Sequence, residues 1–466
     1  MIEWLPWSAP SFARAAREGK PVLLSITAAW CRACHEMDRA TYADPRVAAL
    51  VAGRFVAVRV DTDRRPDINE RYNLGGWPTT AFLTADGQLI TGGTFIDADR
   101  MTGVLARVAE AFQAKAAEWR TAGHAADDGV DDHGPAAAAG SAGVDEDEYV
   151  AGIFSTFDEE YGGFGVEPKF PHAAPVQLAL RLFGETGGAR WRWIAERTLD
   201  AFWDGALRDR AAGGFFRYAA TRDWQLPHVE KLLDTNAALL ALYAEASVVL
   251  GRSADRDRTA AVAKFITGSL RDAAGGYYGS DAGRVLYADA NAAAASALLR
   301  AASALGDEVL AREALASFER VLLGCYRPGA GLAHYVSGDD PVRGLLGDQV
   351  AAVAALLDAH DLTDGEPYQM MAEEIGHYLV REMWDEAAGG FVDRSSREDD
   401  IGLLRTRRKP FVLNAEAAIA LARLRRVSRE FDFTAYARGA LAAAAREAPT
   451  QGPLAAHYVL AARQVG

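Results

Sequence analysis

The sequence predicts two domains of different class: an α/β domain first, then an all-α domain built of repeated helical hairpins. Three observations carry this. Over the first hundred residues, β-branched apolar runs alternate with segments of helical periodicity. From residue 148 onward, Gly-Gly-aromatic turns recur about 50 to 60 residues apart between alanine-rich helical stretches. Between the two, from Arg120 to Glu148, the composition falls to Asp, Ala, Gly and Ser, which cannot bury a core. The expected layout is an α/β domain over 1–118, an acidic Ala/Gly linker over 119–147, and the helical domain over 148–466.

The bulk properties agree. A chain of 466 residues is too long for one ordinary core. Half its residues are apolar and 24% are charged, as in soluble globular proteins. A net charge of −14 argues against nucleic acid as the main partner. No apolar run approaches the roughly 20 residues of a membrane helix. Met1 to Trp7 shows no basic segment ahead of an apolar one, so no secretory signal is expected. Three cysteines cannot make a disulfide framework. The expectation is a cytoplasmic protein without membrane or nucleic-acid partners, in which paired cysteines mean redox or metal chemistry.

In chain order, Ser11 to Glu18 reads as a helix that Lys20-Pro21 ends. Val22 to Ile26 reads as a strand buried on both faces. Ala29-Trp30-Cys31-Arg32-Ala33-Cys34-His35 then opens a helix, and Asp44-Pro45 opens another through Ala52. Phe55 to Val60 alternates as a second strand. Gly75-Gly76-Trp77-Pro78 leads into a third at Thr79–Leu83, and Asp86-Gly87 turns it into a fourth at Leu89–Phe95. Met101, Val104, Leu105, Val108 and Phe112 mark a last helix.

The order helix, strand, helix, strand, helix, strand, strand, helix resembles a thioredoxin-like domain. Cys31-x-x-Cys34 sits at the strand-to-helix junction, and Trp77-Pro78 stands where that family places a cis-proline. A Cys31 thiol at a helix N-terminus has a lowered pKa, because unpaired N–H groups and the macrodipole favour an anion. Arg32 adds positive charge. Cys31 is then the attacking thiol and Cys34, one turn on, the resolving one. Trp30 would cover one side of the pair, Pro78 would present its neighbours' backbone to a peptide, and His35 reads as a first-turn surface residue. A zinc half-site lacks two further ligands, so no metal or cofactor is expected. An inert binding scaffold is the other alternative.

In the second domain, Gly162-Gly163-Phe164, Gly213-Gly214-Phe215, Gly275-Gly276-Tyr277 and Gly389-Gly390-Phe391 are copies of one turn, with Gly329-Ala330-Gly331-Leu332 a weaker fifth. About twelve helical segments lie between Glu146 and Arg463. Six such pairs resemble the (α/α)6 toroid of six-hairpin glycosidases and of the N-acylglucosamine 2-epimerase group; an open superhelix is the alternative. Polar pairs open the helices after each turn: Asp234/Asn236, Asp289/Asn291, Asp348/Gln349 and Asn414/Glu416. With His172, His228, Glu230, Lys231 and His334 they make a candidate ligand site at one mouth, suited to acid–base work on a sugar. The competing reading makes them helix caps and structural polar groups.

Over its whole length the chain resembles the spermatogenesis-associated protein 20-like, thioredoxin domain-containing family. The resemblance rests on Trp4-Leu5-Pro6-Trp7, Cys31-Arg32-Ala33-Cys34-His35-Glu36-Met37, Gly75-Gly76-Trp77-Pro78-Thr79, Glu167-Pro168-Lys169-Phe170-Pro171-His172 and Leu226-Pro227-His228-Val229-Glu230-Lys231. Arg32 departs from the family's usual histidine, and the chain is shorter than typical members. The implied function is thiol–disulfide exchange, with the toroid binding a protein partner or a carbohydrate-like ligand. A toroid-centred sugar epimerase or hydrolase and a non-catalytic binding module are the rivals.

Overall fold

The computed structural model describes residues 1–122, 146–337, 341–398 and 400–466. It divides into two compact units, one made of Met1–Ala136 with Ser396–Arg407, the other of Ala137–Ser395 with Arg408–Gly466. Most of the segment expected as a linker therefore lies outside the described residues.

In the first unit, α1 (Ala9–Glu18) ends at Gly19 in the left-handed region. β1 (Val22–Thr27) is followed by α2 (Arg32–Met37), a π-helical turn over Asp38–Tyr42, and α3 (Pro45–Arg54), whose start Asp44 caps. β2 (Val56–Asp61), α4 (Pro66–Tyr72), β3 (Thr79–Leu83), β4 (Leu89–Gly93) and α5 (Ala98–Ala122) complete it. The sheet order is β2-β1-β3-β4. β1 runs parallel to β2, with Val22 opposite Val56, and antiparallel to β3, with Val22 opposite Leu83. Val22, Leu24 and Ile26 feed one core with Trp7, Phe12 and Tyr72; Leu23 feeds the other with Met37, Phe82 and Met101. Burial on both faces explains the unbroken apolar run of β1.

One part of this unit comes from far along the chain. Ile401 and Leu404 join its core. Arg71 donates from Nε to Leu403 O at 2.7 Å and from Nη2 to Thr406 O at 2.7 Å. The Tyr72 hydroxyl accepts from Leu403 N at 2.9 Å and donates to Gly87 O at 2.7 Å. The boundary expected from sequence puts 396–407 in the helical domain, whereas Ser396–Arg407 belongs to the first unit. A short apolar segment with no helical or strand period does not reveal which core it serves.

The second unit holds twelve α-helices among the described residues: α6 (Glu146–Ser155), α7 (Ala173–Thr186), α8 (Ala189–Asp204), α9 (Leu233–Val249), α10 (Ser253–Ser269), α11 (Ala288–Leu305), α12 (Glu308–Cys325), α13 (Leu346–Thr363), α14 (Glu366–Met383), α15 (Phe411–Val427), α16 (Thr434–Ala445) and α17 (Ala456–Val465). α7, α9, α11, α13, α15 and α17 each touch the next, and α17 touches α7. That contact closes the ring and excludes the open superhelix. α6 packs on α17, so the helices nearest the two ends of the unit form the sixth pair. Small alanines such as Ala292, Ala295, Ala352 and Ala355 are buried and let the inner helices approach.

The pairs Asp/Asn and Asp/Gln at the inner-helix starts are not equivalent to caps. N-cap positions fall on Leu232, Tyr287, Leu345 and Pro410, without side-chain capping bonds. Four residues on, Asn236, Asn291, Gln349 and Asn414 do something else. Asn291 Oδ1 accepts from Tyr277 N at 2.7 Å, and its Nδ2 donates to Tyr277 O at 2.9 Å and to Tyr287 O at 2.8 Å. Asn236 does the same for Phe215 and Leu232, Asn414 for Phe391 and Pro410, and Gln349 for Leu332 and Leu345. Each amide thus ties the residue after a glycine turn, Gly-Gly in three cases and Gly-Ala-Gly before Leu332, to the start of an inner helix. The second glycine has to be glycine: Gly214 has φ +74, and a Cβ there would lie 2.6 Å from the Phe265 ring.

Replacing Asn291 by Ala leaves the Tyr277 N–H and C=O buried and unpaired, which is expected to cost about 2–4 kcal/mol. Urea unfolding of the full chain measures this; a loss within error of zero would show that the clamp is not needed.

Candidate functional site

In the first unit, Cys31 and Cys34 are joined as a disulfide. Cys31 is the N-cap residue of α2, and the Cys34 N–H points at its Sγ from 3.1 Å. That donor lies where it would hold a Cys31 thiolate once the disulfide is reduced. The sulfur-bearing residues are 4% and 2% exposed. Arg32 is exposed in the first turn, and the exposed His35 ring lies 2.8 Å from Ala29 O by one nitrogen.

Two loops meet at this pair. The Trp30 indole donates to Asp63 Oδ2 at 2.7 Å, and its ring stands edge-on to Trp77 with centroids 5.5 Å apart. Trp77 donates to Asn69 Oδ1 at 3.1 Å. Its peptide bond to Pro78 is cis. Asn73 Oδ1 accepts from Gly75 N and Gly76 N at 2.8 and 2.9 Å, and Thr79 Oγ1 donates to Gly76 O at 2.7 Å. The backbone before Pro78 is therefore held by side chains on both sides of it.

In the second unit the sequence candidates separate into four groups. Lys231 is structural: it is buried and donates to Asp209 Oδ2 at 2.6 Å, while Asp209 Oδ1 accepts from Ala211 N and Ala212 N. Those bonds hold the Asp209 carboxyl down at about 2. Lys169 with Asp158 and Lys409 with Asp385 repeat the arrangement. Asn236, Asn291, Gln349 and Asn414 are occupied by the clamps. His228 is exposed and stacks on Tyr218 at 4.1 Å, which stacks in turn on Phe170 at 4.6 Å; Glu230 follows it with a buried Oε2 that has no partner.

The rest lie near inner-helix starts, except His334, which stands in the loop before α13. His334 Nδ1 lies 2.8 Å from Asp348 Oδ1 and 4.0 Å from Asp289 Oδ1. Desolvation by the surrounding protein raises the pKa of half-exposed Asp289, helped by Asp348, and that of Asp234, helped by Asp289. Glu416 is pushed up to about 7 by burial. Its Oε1 lies 3.8 Å from Nδ1 of His457, which burial and the neighbouring His172 lower to about 4. Burial lowers His172 too. The sequence reading missed His457. It occupies the second position of α17, as Asp234 and Asp289 do in α9 and α11, but no Gly-Gly turn precedes α17 to mark the repeat.

Residues 1–128 match the family model Thioredox_DsbH, described as "Protein of unknown function, DUF255". Human spermatogenesis-associated protein 20 is 30% identical over 60% of this chain and 38% of its own length. An uncharacterised Caenorhabditis elegans protein is 30% identical over 52% of this chain and 36% of its own. The chain thus spans less than two-fifths of the length of these curated relatives. Thiol:disulfide interchange protein DsbD of Yersinia pestis is 31% identical over 20% of the chain and 15% of its own length. Among solved structures, cellobiose 2-epimerase from Bacillus thermoamylovorans matches with TM-score 0.57 at 11% identity, over 68% of this chain and 99% of that one. A sugar epimerase from a ruminal bacterium gives 0.56 at 14%, over 63% and 83%. These two show the fold alone.

A raised carboxyl pKa means that the folded state holds a proton the unfolded chain has released. With Glu416 at about 7 against the ordinary 4.5, stability is expected to fall as pH rises from 4.5 through 7. Glu416→Gln should flatten that slope in urea unfolding across this range; an unchanged slope would contradict the shift. The chain is similar over 60% of its length to human spermatogenesis-associated protein 20, its residues 1–128 match the Thioredox_DsbH family model, and the fold of its helical unit is that of a six-hairpin glycosidase-like toroid.

Proposed function

We propose that the protein is a thiol–disulfide oxidoreductase working through Cys31 and Cys34. The observation that carries this is Cys31 at the N-cap of α2 with the Cys34 N–H on its sulfur. The Cys31 thiolate attacks one sulfur of a partner's disulfide, forming a mixed disulfide and releasing the partner's other sulfur as a thiolate. The Cys34 thiolate then attacks Cys31 Sγ. That closes the internal disulfide and frees the second partner sulfur, so two electrons pass to the partner. A dithiol reductant must restore the pair. The held backbone at Gly76–Pro78 is the docking edge for the partner's chain. A cytoplasmic setting suits a chain with three cysteines, and no helix among the described residues is long and apolar enough to cross a membrane.

The second reading gives the toroid acid–base chemistry on a carbohydrate-like ligand, with the first unit as accessory. Glu416 and His457 favour it: near neutral pH one holds a proton about half the time while the other is a neutral base.

Cys34→Ser is expected to trap a mixed disulfide on Cys31 in cell extract, released by dithiothreitol, and Cys31→Ser to abolish disulfide reductase activity. Full reductase activity in Cys31→Ser would remove the redox reading. Sugar turnover lost in Glu416→Gln but kept in Cys31→Ser would favour the second.

A further inference from the structure

The sequence holds no recognisable metal motif, yet a site of that kind assembles inside the toroid. We infer that Asp289, His334 and Asp348 bind one first-row divalent cation. Their ligating atoms all lie within 4.8 Å of one another. That spread lets a single ion reach all three at bond lengths of about 2.1–2.5 Å.

Burial gives the independent evidence. Asp348 is 1% exposed, and its Oδ2 has no hydrogen-bond partner. Elsewhere the toroid neutralises buried and nearly buried carboxylates with lysine or arginine, as at Asp158–Lys169, Asp209–Lys231, Asp385–Lys409 and Asp255–Arg252. Neither lysine nor arginine pairs with Asp348; His334 is its only ion-pair partner among the described residues. A buried carboxylate oxygen left bare is costly, and a bound cation removes that cost.

The donors are also held in place before any ion arrives. Ala288 N donates to His334 O at 2.7 Å, which fixes His334 beside Asp289. The Gln349 clamp on Leu332 fixes the same segment beside Asp348. Asp289 and Asp348 stand in the first turns of α11 and α13, on rigid helices. Two carboxylates and one imidazole suit Mn²⁺, Fe²⁺ or Zn²⁺ better than the all-oxygen shells of Ca²⁺ and Mg²⁺. Asp289 is half-exposed, so an ion has a way in and open coordination positions remain. This site stands apart from the thiol reading, and the failure of either leaves the other intact.

The test is a titration of the full, chelator-stripped chain with Mn²⁺, following free Mn²⁺ by electron paramagnetic resonance. Cys31 and Cys34 are kept oxidised so that thiols do not compete. The expected result is one bound equivalent, weakened at least about tenfold in Asp289→Asn and in Asp348→Asn. Asp361→Asn, which removes an exposed carboxylate elsewhere, should bind as the parent does. Asp289→Asn changes a half-exposed group, so it tests the site even if Asp348→Asn fails to fold. No saturable binding up to about 1 mM, or equal binding by Asp289→Asn and the parent, would overturn the assignment.

Discussion

The amide clamp is the interaction on which the toroid depends. A Gly-Gly turn exposes the N–H and C=O of the residue after it, and in a closed ring of helices that residue is buried. Asn236, Asn291, Gln349 and Asn414 satisfy both groups and bond back to their own helix start. One side chain therefore fixes the link between an outer helix and the next inner one. Beneath three of the turns an aspartate collects backbone N–H groups with one oxygen and a lysine with the other. The same positions that suggested a ligand site are in part the frame of the ring. Asp234, Asp289, Glu416 and His457, near the starts of inner helices, take no part in the clamps, and desolvation moves their pKa values.

The first unit is built on the same economy of side chain and backbone. Asn73 and Thr79 hold the loop before Pro78, and Asp63 and Asn69 hold the two tryptophans that meet beside the disulfide. The dithiol is consequently set between two loops whose shapes are determined by named hydrogen bonds. The segment Ser396–Arg407 adds to that frame through Arg71 and Tyr72. It belongs to the first unit in space although it interrupts the toroid in sequence.

Much of this was legible beforehand, for identifiable reasons. The unbroken run of β1, the Cys31-x-x-Cys34 junction and the Trp77-Pro78 placement are local signals, and local signals survive folding. The five glycine turns gave the repeat. What stayed hidden was non-local. Nothing in Asp234-Thr235-Asn236 tells that the asparagine grips Phe215, because the partner is set by the hairpin and not by the helix. Gln349 holds the place an asparagine has in the other helices, but Asp348 stands one position later in its helix than Asp234 and Asp289 do in theirs. His457 lacked a preceding turn, and Ile401 and Leu404 lacked a period.

The claim on which the function rests is that Cys31 and Cys34 exchange electrons as a pair. Cys325 serves as the internal control, since it is fully buried and its thiol is pushed up to about 12. The direct measurement equilibrates the folded chain across thiol–disulfide buffers, alkylates the free thiols and counts them by mass. The account predicts one two-electron transition that interconverts a dithiol and a disulfide at Cys31 and Cys34, with Cys325 unmodified throughout. A pair that stays reduced in every buffer, or that loses one thiol at a time to separate caps, would contradict it.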